Sequence, residues 1–271
     1  MPTISIVTAV LAGRHQHLLE LYHSLQRQDL PPGWDWQWVV QEDGDTGRAF
    51  DALPEDDARI SMDTGPHGYP AGARTLALSR ASGVLLRAVD ADDLLPDMAL
   101  RRDVETLVAH PEVAWCTSAA LDLLPNGELR TGPRDPDHGP LPPGLLAQGE
   151  RDGWLQVLAI TMTTYTELVR LLGGWTAVRG EDVGLLLAAE VVSDGWFSRE
   201  PGLLYRRWDG ASTVHLEKRQ QRPPSARRAV ILGRVSALQR AGIRWTVPPE
   251  IRRQLLRRDE LATIEQWAAV P

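Results

Sequence analysis

Two aspartates follow directly on an apolar run of the chain. Asp90 and Asp92 come after residues 84–89 (VLLRAV), a composition that predicts a mostly buried strand. In open α/β sheets, ligands bind in the crevice outside the carboxyl ends of the strands. Two carboxylates at such an end, spaced i and i+2, can reach one hard divalent cation, and Mg²⁺ or Mn²⁺ prefers oxygen ligands. The spacing indicates a metal site, and a polar turn is the alternative, because Asp is a common turn residue.

Two further acidic positions stand at the ends of predicted elements. Asp43 follows a strand predicted for residues 36–40, and Glu181-Asp182 opens a helix predicted for residues 182–192. The structural alternatives are a turn or helix cap for Asp43 and a simple N-cap for Asp182. The acidic residues therefore cluster at element ends, where loops of an α/β protein carry function.

The elements that must position these acids alternate along the first part of the chain. The pattern predicts strands at 4–8, 36–40 and 84–89, and helices around 18–25, 71–82 and 97–110. Such alternation implies a parallel sheet covered by helices. Later segments predict two strands (113–117 and 119–124) before an Asn126-Gly127 hairpin, a Pro/Gly-rich loop (131–149), helices near Trp154 and at 165–172, a strand at 203–206 and a helical tail from 225.

Five stretches resemble, in order and spacing, the family 2 inverting glycosyltransferases of the GT-A fold. They are residues 4–10 (ISIVTAV), 38–45 (WVVQEDGD), 71–77 (AGARTLA), 88–93 (AVDADD), and 173–175 (GGW) followed by 180–182 (GED). The sequence departs from the family pattern at Thr75, where Asn is common, and at Gln41 and Glu42. The resemblance covers residues 1–215, so we expect a GT-A domain there, with a mostly parallel Rossmann-like sheet, and a helical basic extension over residues 216–271.

The resemblance implies a nucleoside diphosphate sugar donor, bound at the carboxyl edge of the sheet. The backbone of Thr8, Ala9 and Val10 would line the base and ribose. Asp43 would accept the imide N–H of uracil or thymine, which favours a UDP- or dTDP-type donor. Arg74 would offer a permanently charged fork to phosphate oxygens, next to Asp90 and Ala91, and an ordinary ion pair at a helix start is its structural alternative.

The resemblance also implies a divalent metal, Mn²⁺ or Mg²⁺, held by Asp90 and Asp92. This cation would neutralise the charge that builds up on the leaving diphosphate. The third ligand is uncertain because Trp208 stands where the family often has a His. His215, seven residues later, is the candidate for that ligand.

The acceptor side of the resemblance centres on Glu181-Asp182. Asp182 would be the general base on the acceptor hydroxyl, and a helix start favours the ionised form that a base needs. Attack opposite to the diphosphate would invert the anomeric centre. Glu181 could take this role instead, and Trp175 and Trp208 are the candidates for stacking on the acceptor.

Two other functions are compatible with the sequence. A nucleotidyltransferase that makes nucleotide sugars would need a Gly-rich basic loop after the first strand, and residues 12–14 (AGR) match that loop poorly. A catalytically inactive sugar-nucleotide-binding module would not require the paired acids. A turnover assay separates the module from the enzyme.

Composition narrows the class of protein. The 271 residues contain one cysteine, Cys116, which excludes a disulfide framework, and no apolar run predicts a transmembrane helix or a secretory signal, so we expect a cytoplasmic protein. The net charge of −7 argues against a nucleic-acid partner. Residues 218–258 nevertheless carry twelve basic residues and one acid. This segment could bind an acidic partner or membrane surface, pack near the acidic body, or support a homo-oligomer.

Overall fold

The computed structural model describes residues 1–11, 16–132, 135–207 and 226–255, which form a sheet covered by helices. The strands are β1 (Thr3–Leu11), β2 (Asp35–Asp43), β3 (Ile60–Asp63), β4 (Leu85–Ala88), β5 (Trp115–Leu123), β6 (Leu129–Thr131), β7 (Gly139–Pro140), β8 (Thr163–Tyr165) and β9 (Gly195–Arg206). The helices are α1 (Leu18–Gln26), α2 (Tyr69–Ala77), α3 (Ala99–Ala109), α4 (Leu145–Asp152), α5 (Thr166–Leu171), α6 (Glu181–Val192), α7 (Ala226–Ala241) and α8 (Pro249–Leu255).

The strands form one mixed sheet in the order β3-β2-β1-β4-β8-β5-β9-β7, with β6 paired to β5. The strands from β3 to β4 are parallel, as the alternating pattern predicts. Strand β8 runs antiparallel to both β4 and β5, and it separates this half from the parallel pair β5 and β9. The carboxyl ends of β2 and β4 therefore lie on the same edge of the sheet, where Asp43 is the last residue of β2 and Asp90 comes two residues after β4.

The first strands form because β-branched and aromatic residues suit a sheet that is covered on both faces. Ile4, Ile6 and Val7 of β1 are buried, and so are Trp38 and Val39 of β2. The near-continuous burial explains why these strands read as apolar runs in the sequence. The acidic strand ends thus lie at the edge of a buried part of the sheet.

A buried ion pair fixes β4, the strand that leads to Asp90. The Arg87 guanidinium donates to Asp103 of α3 at 2.5 Å and to the Gly202 carbonyl oxygen of β9 at 2.7 Å. Thr163 of β8 donates to the same carboxylate at 2.6 Å. Because removing one partner leaves the other charge buried, such pairs are costly to break, at about 3–5 kcal/mol. Arg87 therefore holds the strand from within the core.

Several predicted elements differ from the observed ones. Residues 115–123 form one strand, β5, where the sequence predicts two. The pairing of β5 with β9 shifts register near Ser118 and Ala119, but β5 itself is continuous. The hairpin at Asn126-Gly127 is confirmed and joins β5 to β6. The short strands β3 and β8 were missed, because four and three residues give too little periodicity. Helix α4 begins within the predicted 131–149 loop and ends at Asp152, so it comes earlier than the helix predicted near Trp154.

The helices α7 and α8 fall within the predicted basic extension. Ile231 and Val235 of α7 are buried, and the Trp245 backbone N–H donates to the Val192 carbonyl oxygen at the end of α6. Arg227 and Arg228 both lie within 4 Å of a Glu150 carboxylate oxygen. Residues 226–255 thus pack on the acidic body, while a domain boundary near residue 215 stays a prediction. No helix in the described ranges is long and apolar enough to cross a membrane.

Candidate active site

The turn after β4 presents Asp90 and Asp92 at the carboxyl edge of the sheet. Both side chains are partly exposed, whereas the next residue, Asp93, is almost fully buried. Burial, together with the nearby Asp90 charge, raises the pKa of Asp93 well above its ordinary value. Asp90 and Asp92 are therefore the two carboxylates of this turn that reach the surface, whereas Asp93 is part of the core beneath them.

Arg206, the last residue of β9, holds this turn in place. Its Nε donates to the Asp92 carbonyl oxygen at 2.7 Å, and its backbone N–H donates to Asp93 Oδ1 at 2.9 Å. Its guanidinium also reaches Glu20 of α1 at 2.7 Å. Sequence reasoning missed Arg206, because nothing local to its strand indicates a partner more than one hundred residues away.

Arg74 of α2 joins two of the predicted acids. Its guanidinium donates to Asp90 and, at 2.5 Å, to Oε1 of Glu181. The Arg74 side chain is only 4% exposed. Burial alone would lower its pKa, but the charges of Asp90, Glu181 and Asp182 outweigh this effect and raise it. Arg74 therefore stays charged, and it brings the strand-end acid and the helix-start acids into one site.

Glu181 and Asp182 have different environments although they are neighbours in sequence. Glu181 is paired with Arg74, whereas Asp182 forms no ion pair within the described ranges. Burial and repulsion from Glu181 raise the pKa of Asp182 from 3.8 to about 6. Gly180, with a φ of 80°, is the N-cap of α6, so Asp182 is not the simple N-cap that its position allowed. An unpaired carboxylate with a raised pKa is suited to accept a proton near neutral pH.

A small cavity of about 10 Å³ lies beside Asp182. Its lining is otherwise mostly apolar and includes Trp175, Met162 and Leu185. Trp175 is 5% exposed, and its backbone N–H donates to the Thr75 hydroxyl at 3.3 Å. Thr75, which departs from the family pattern, thus links α2 to the loop before Asp182. Trp175 lines the cavity beside Asp182, and little of its side chain is exposed for stacking on an acceptor.

Asp43 ends β2 and is enclosed by the loop before α2. Its Oδ1 accepts the Gly68 backbone N–H at 2.6 Å, and its Oδ2 lies 3.0 Å from His67 Nδ1. The preceding Glu42 has a structural role. Burial alone would raise its pKa, but hydrogen bonds from the backbone N–H groups of Ala49, Thr46 and Gly47 lower it. Asp43 is itself only 5% exposed, and both of its carboxylate oxygens have partners in the loop before α2.

The segment Thr8–Val10 forms the end of β1 beside Asp43. The Thr8 hydroxyl accepts a hydrogen bond from the Trp38 indole N–H at 3.0 Å inside the core, and Val10 is buried. Ala9 is partly exposed, as is Ala91 in the turn after β4. Contacts to a ligand would therefore come from the backbone here, as expected, and these positions stay predictions.

The metal prediction can be examined only in part. Within the described ranges, no group of three His, Cys, Asp or Glu side chains is arranged to hold a metal ion. Trp208 and the candidate third ligand His215 lie outside those ranges. Asp90 and Asp92 are hard oxygen donors at one turn, and both side chains are partly exposed. This donor set fits a divalent cation completed by water or phosphate oxygens.

Comparison with known proteins identifies the class. The family model described as "Glycosyl transferase family 2" matches residues 5–156, which is more than half of the chain. The chain therefore belongs to glycosyl transferase family 2. No curated protein matches the chain.

Solved structures of TarS from S. aureus share the fold. TarS 1–349 in complex with UDP matches with a TM-score of 0.61 at 15% identity, over 88% of this chain and 65% of that one. The complex of TarS 1–349 with UDP-GlcNAc matches with a TM-score of 0.62 at 16% identity, over 94% of this chain and 78% of that one. This chain thus spans slightly less than two thirds of the first of these structures, and 47% of a longer TarS structure. The predicted GT-A type α/β fold is confirmed, with a sheet that is mixed.

Proposed function

We propose that this glycosyltransferase moves a sugar, with inversion, from a UDP- or dTDP-type donor to an acceptor hydroxyl. One observation carries the proposal: Arg74 contacts both Asp90 and Glu181, so the strand-end acids and the helix-start acids border one site. UDP and UDP-GlcNAc are bound by the structurally similar TarS. That likeness supports a uridine nucleotide here, and it leaves the sugar and the acceptor open.

In the proposed reaction, Asp182 accepts the proton of the acceptor hydroxyl. The acceptor oxygen forms a bond to the anomeric carbon while the bond from that carbon to the diphosphate oxygen breaks on the opposite face. The electron pair leaves with the diphosphate, and the configuration of the sugar inverts. The raised pKa of Asp182, about 6, matches a base that must take a proton near neutral pH and release it afterwards.

The donor side must stabilise the charge of the leaving diphosphate. Asp90 and Asp92 would hold Mn²⁺ or Mg²⁺, which neutralises phosphate charge when bound. Arg74 adds a buried positive charge beside Asp90, and Arg206 keeps the Asp92 turn rigid. This support matters because a charged group stabilises the developing charge of the diphosphate best when it is already oriented toward it before the reaction.

A thermal-shift titration tests the donor proposal. UDP with Mn²⁺ should raise the melting temperature of the protein more than UDP or Mn²⁺ alone, because a ligand stabilises the form it binds. ADP with Mn²⁺ is the matched control for the base. If neither UDP nor dTDP stabilises the protein at millimolar concentration with Mn²⁺ or Mg²⁺, the proposed donor class is wrong.

A further inference from the structure

The loop that encloses Asp43 carries an exposed aromatic side chain. Tyr69, the first residue of α2, is 70% exposed, although large aromatic side chains usually bury most of their surface. Its ring lies 4.9 Å from the His67 ring, and His67 Nδ1 lies 3.0 Å from Asp43 Oδ2. His67 thus lies between Tyr69 and the Asp43 carboxylate, which is proposed to bind the base.

The backbone of Tyr69 adds a second observation. Its φ of 60° is in the left-handed region, which is unfavourable for a bulky residue and costs about 1–3 kcal/mol as a class. The loop before it is fixed in place, because Gly44 and Gly65 exchange backbone hydrogen bonds of 3.0 and 2.8 Å. A side chain at Gly65 would collide with Leu76 at 2.9 Å. A fixed loop therefore presents Tyr69 outward in a conformation that a glycine would adopt more easily.

We propose that Tyr69 is the stacking platform for the nucleobase of the donor. A nucleobase has two apolar faces and a polar edge, so its site needs a flat apolar wall and a hydrogen-bonding partner at its rim. The Tyr69 ring would provide the flat apolar surface, and the Asp43 carboxylate would accept the hydrogen bond at the edge of the base. His67 is 55% exposed and Asp43 is 5% exposed, so the imide N–H of the base would reach Asp43 Oδ2 by displacing the His67 ring. Leu11, the exposed last residue of β1, is paired with Asp43 in the sheet and borders the same site.

This assignment rests on the proposed function, because it assumes a nucleoside diphosphate donor. Calorimetric titrations of wild type with UDP and with pyrophosphate, both in the presence of Mn²⁺, separate the base from the diphosphate. The variants are Tyr69→Phe, which keeps the ring, Tyr69→Ala, which removes it, and Tyr69→Gly, which removes it and also relaxes the backbone. Melting curves verify that each variant is folded.

Tyr69→Phe should bind UDP within about twofold of wild type, because stacking needs the ring and not the hydroxyl. Tyr69→Ala and Tyr69→Gly should both weaken UDP binding by about 5- to 150-fold, the effect of losing one base–aromatic stack. Pyrophosphate affinity should stay the same in all four proteins. Tyr69→Gly should melt at a higher temperature than Tyr69→Ala, because glycine tolerates the positive φ.

Two results would overturn the assignment while leaving the proposed function intact: wild-type UDP affinity in Tyr69→Ala, or an equal loss of UDP and pyrophosphate affinity. The second result would mean that Tyr69 acts on the whole donor site and not on the base. A wild-type protein that binds neither UDP nor pyrophosphate would instead contradict the proposed function itself, and the base site with it.

Discussion

Replacement of Asp182 by Asn should raise the stability of the protein and lower its turnover. The folded protein raises the pKa of Asp182 from 3.8 to about 6, so the charged form is disfavoured by about two pKa units, or about 3 kcal/mol. Partial exposure and the favourable helix start reduce this cost. We expect Asp182→Asn to stabilise the protein by about 1–2 kcal/mol at pH 8, which corresponds to about 2–4 °C in melting temperature for a chain of 271 residues.

The sign of the pH dependence follows from the raised pKa. Neutral Asp182 is favoured in the folded state, so its contribution to stability is present below about pH 4 and is lost as the pH rises through 6. The melting temperatures of Asp182→Asn and wild type should therefore converge near pH 4 and separate above pH 6. Glu181→Gln is the matched control, and it should lower the melting temperature because Arg74 loses a partner.

The same preparation tests the catalytic role of Asp182. Release of UDP from a UDP-sugar donor should fall by about a hundredfold or more in Asp182→Asn, since general bases contribute about 10²–10⁴. Donor affinity should stay nearly unchanged, because in the proposed reaction Asp182 contacts the acceptor and not the diphosphate. In wild type, turnover should decline as the pH falls through 6. Near-wild-type turnover would remove Asp182 from the mechanism and direct attention to Glu181, and a variant less stable than wild type at pH 8 would refute the electrostatic argument.

Three further expectations can be measured. Asp92→Asn should keep the fold, since this side chain is partly exposed, but it should abolish the Mn²⁺-dependent part of the thermal shift with UDP; an unchanged Mn²⁺ response would exclude Asp92 as a ligand. If Asp43 accepts an imide N–H, UDP or dTDP should bind more tightly than ADP or CDP, and ADP as the best ligand would contradict this role. Ile231→Ala should cost about 2–4 kcal/mol in urea unfolding, because Ile231 is 2% exposed, whereas the exposed Val230→Ala should cost under about 0.5; equal values would mean that α7 does not pack on the body.

The parallel half of the fold could be predicted because its signals are local. Strand β4, just before Asp90, lies in an apolar run, and strand β2, which ends at Asp43, shows Trp and Val residues at alternating positions. Helices α1, α2, α3 and α6 follow the spacing of buried side chains. The antiparallel strand β8 and the edge strand β3 could not be predicted, because they are too short to show a period and are defined by their partners. Tertiary pairing decided these elements.

The candidate site divides in the same way. The sequence by itself determined which acids stand at strand and helix ends, since periodicity shows where an element stops, and the order of these acids matched a family. Only the tertiary structure decided their chemical states. Arg74 and Glu181 are 107 residues apart in the chain, and their pairing leaves Asp182 as the acid without an ion pair in the described ranges. Burial and charge partners set a pKa, and both depend on which distant elements pack together, so no local pattern can report them.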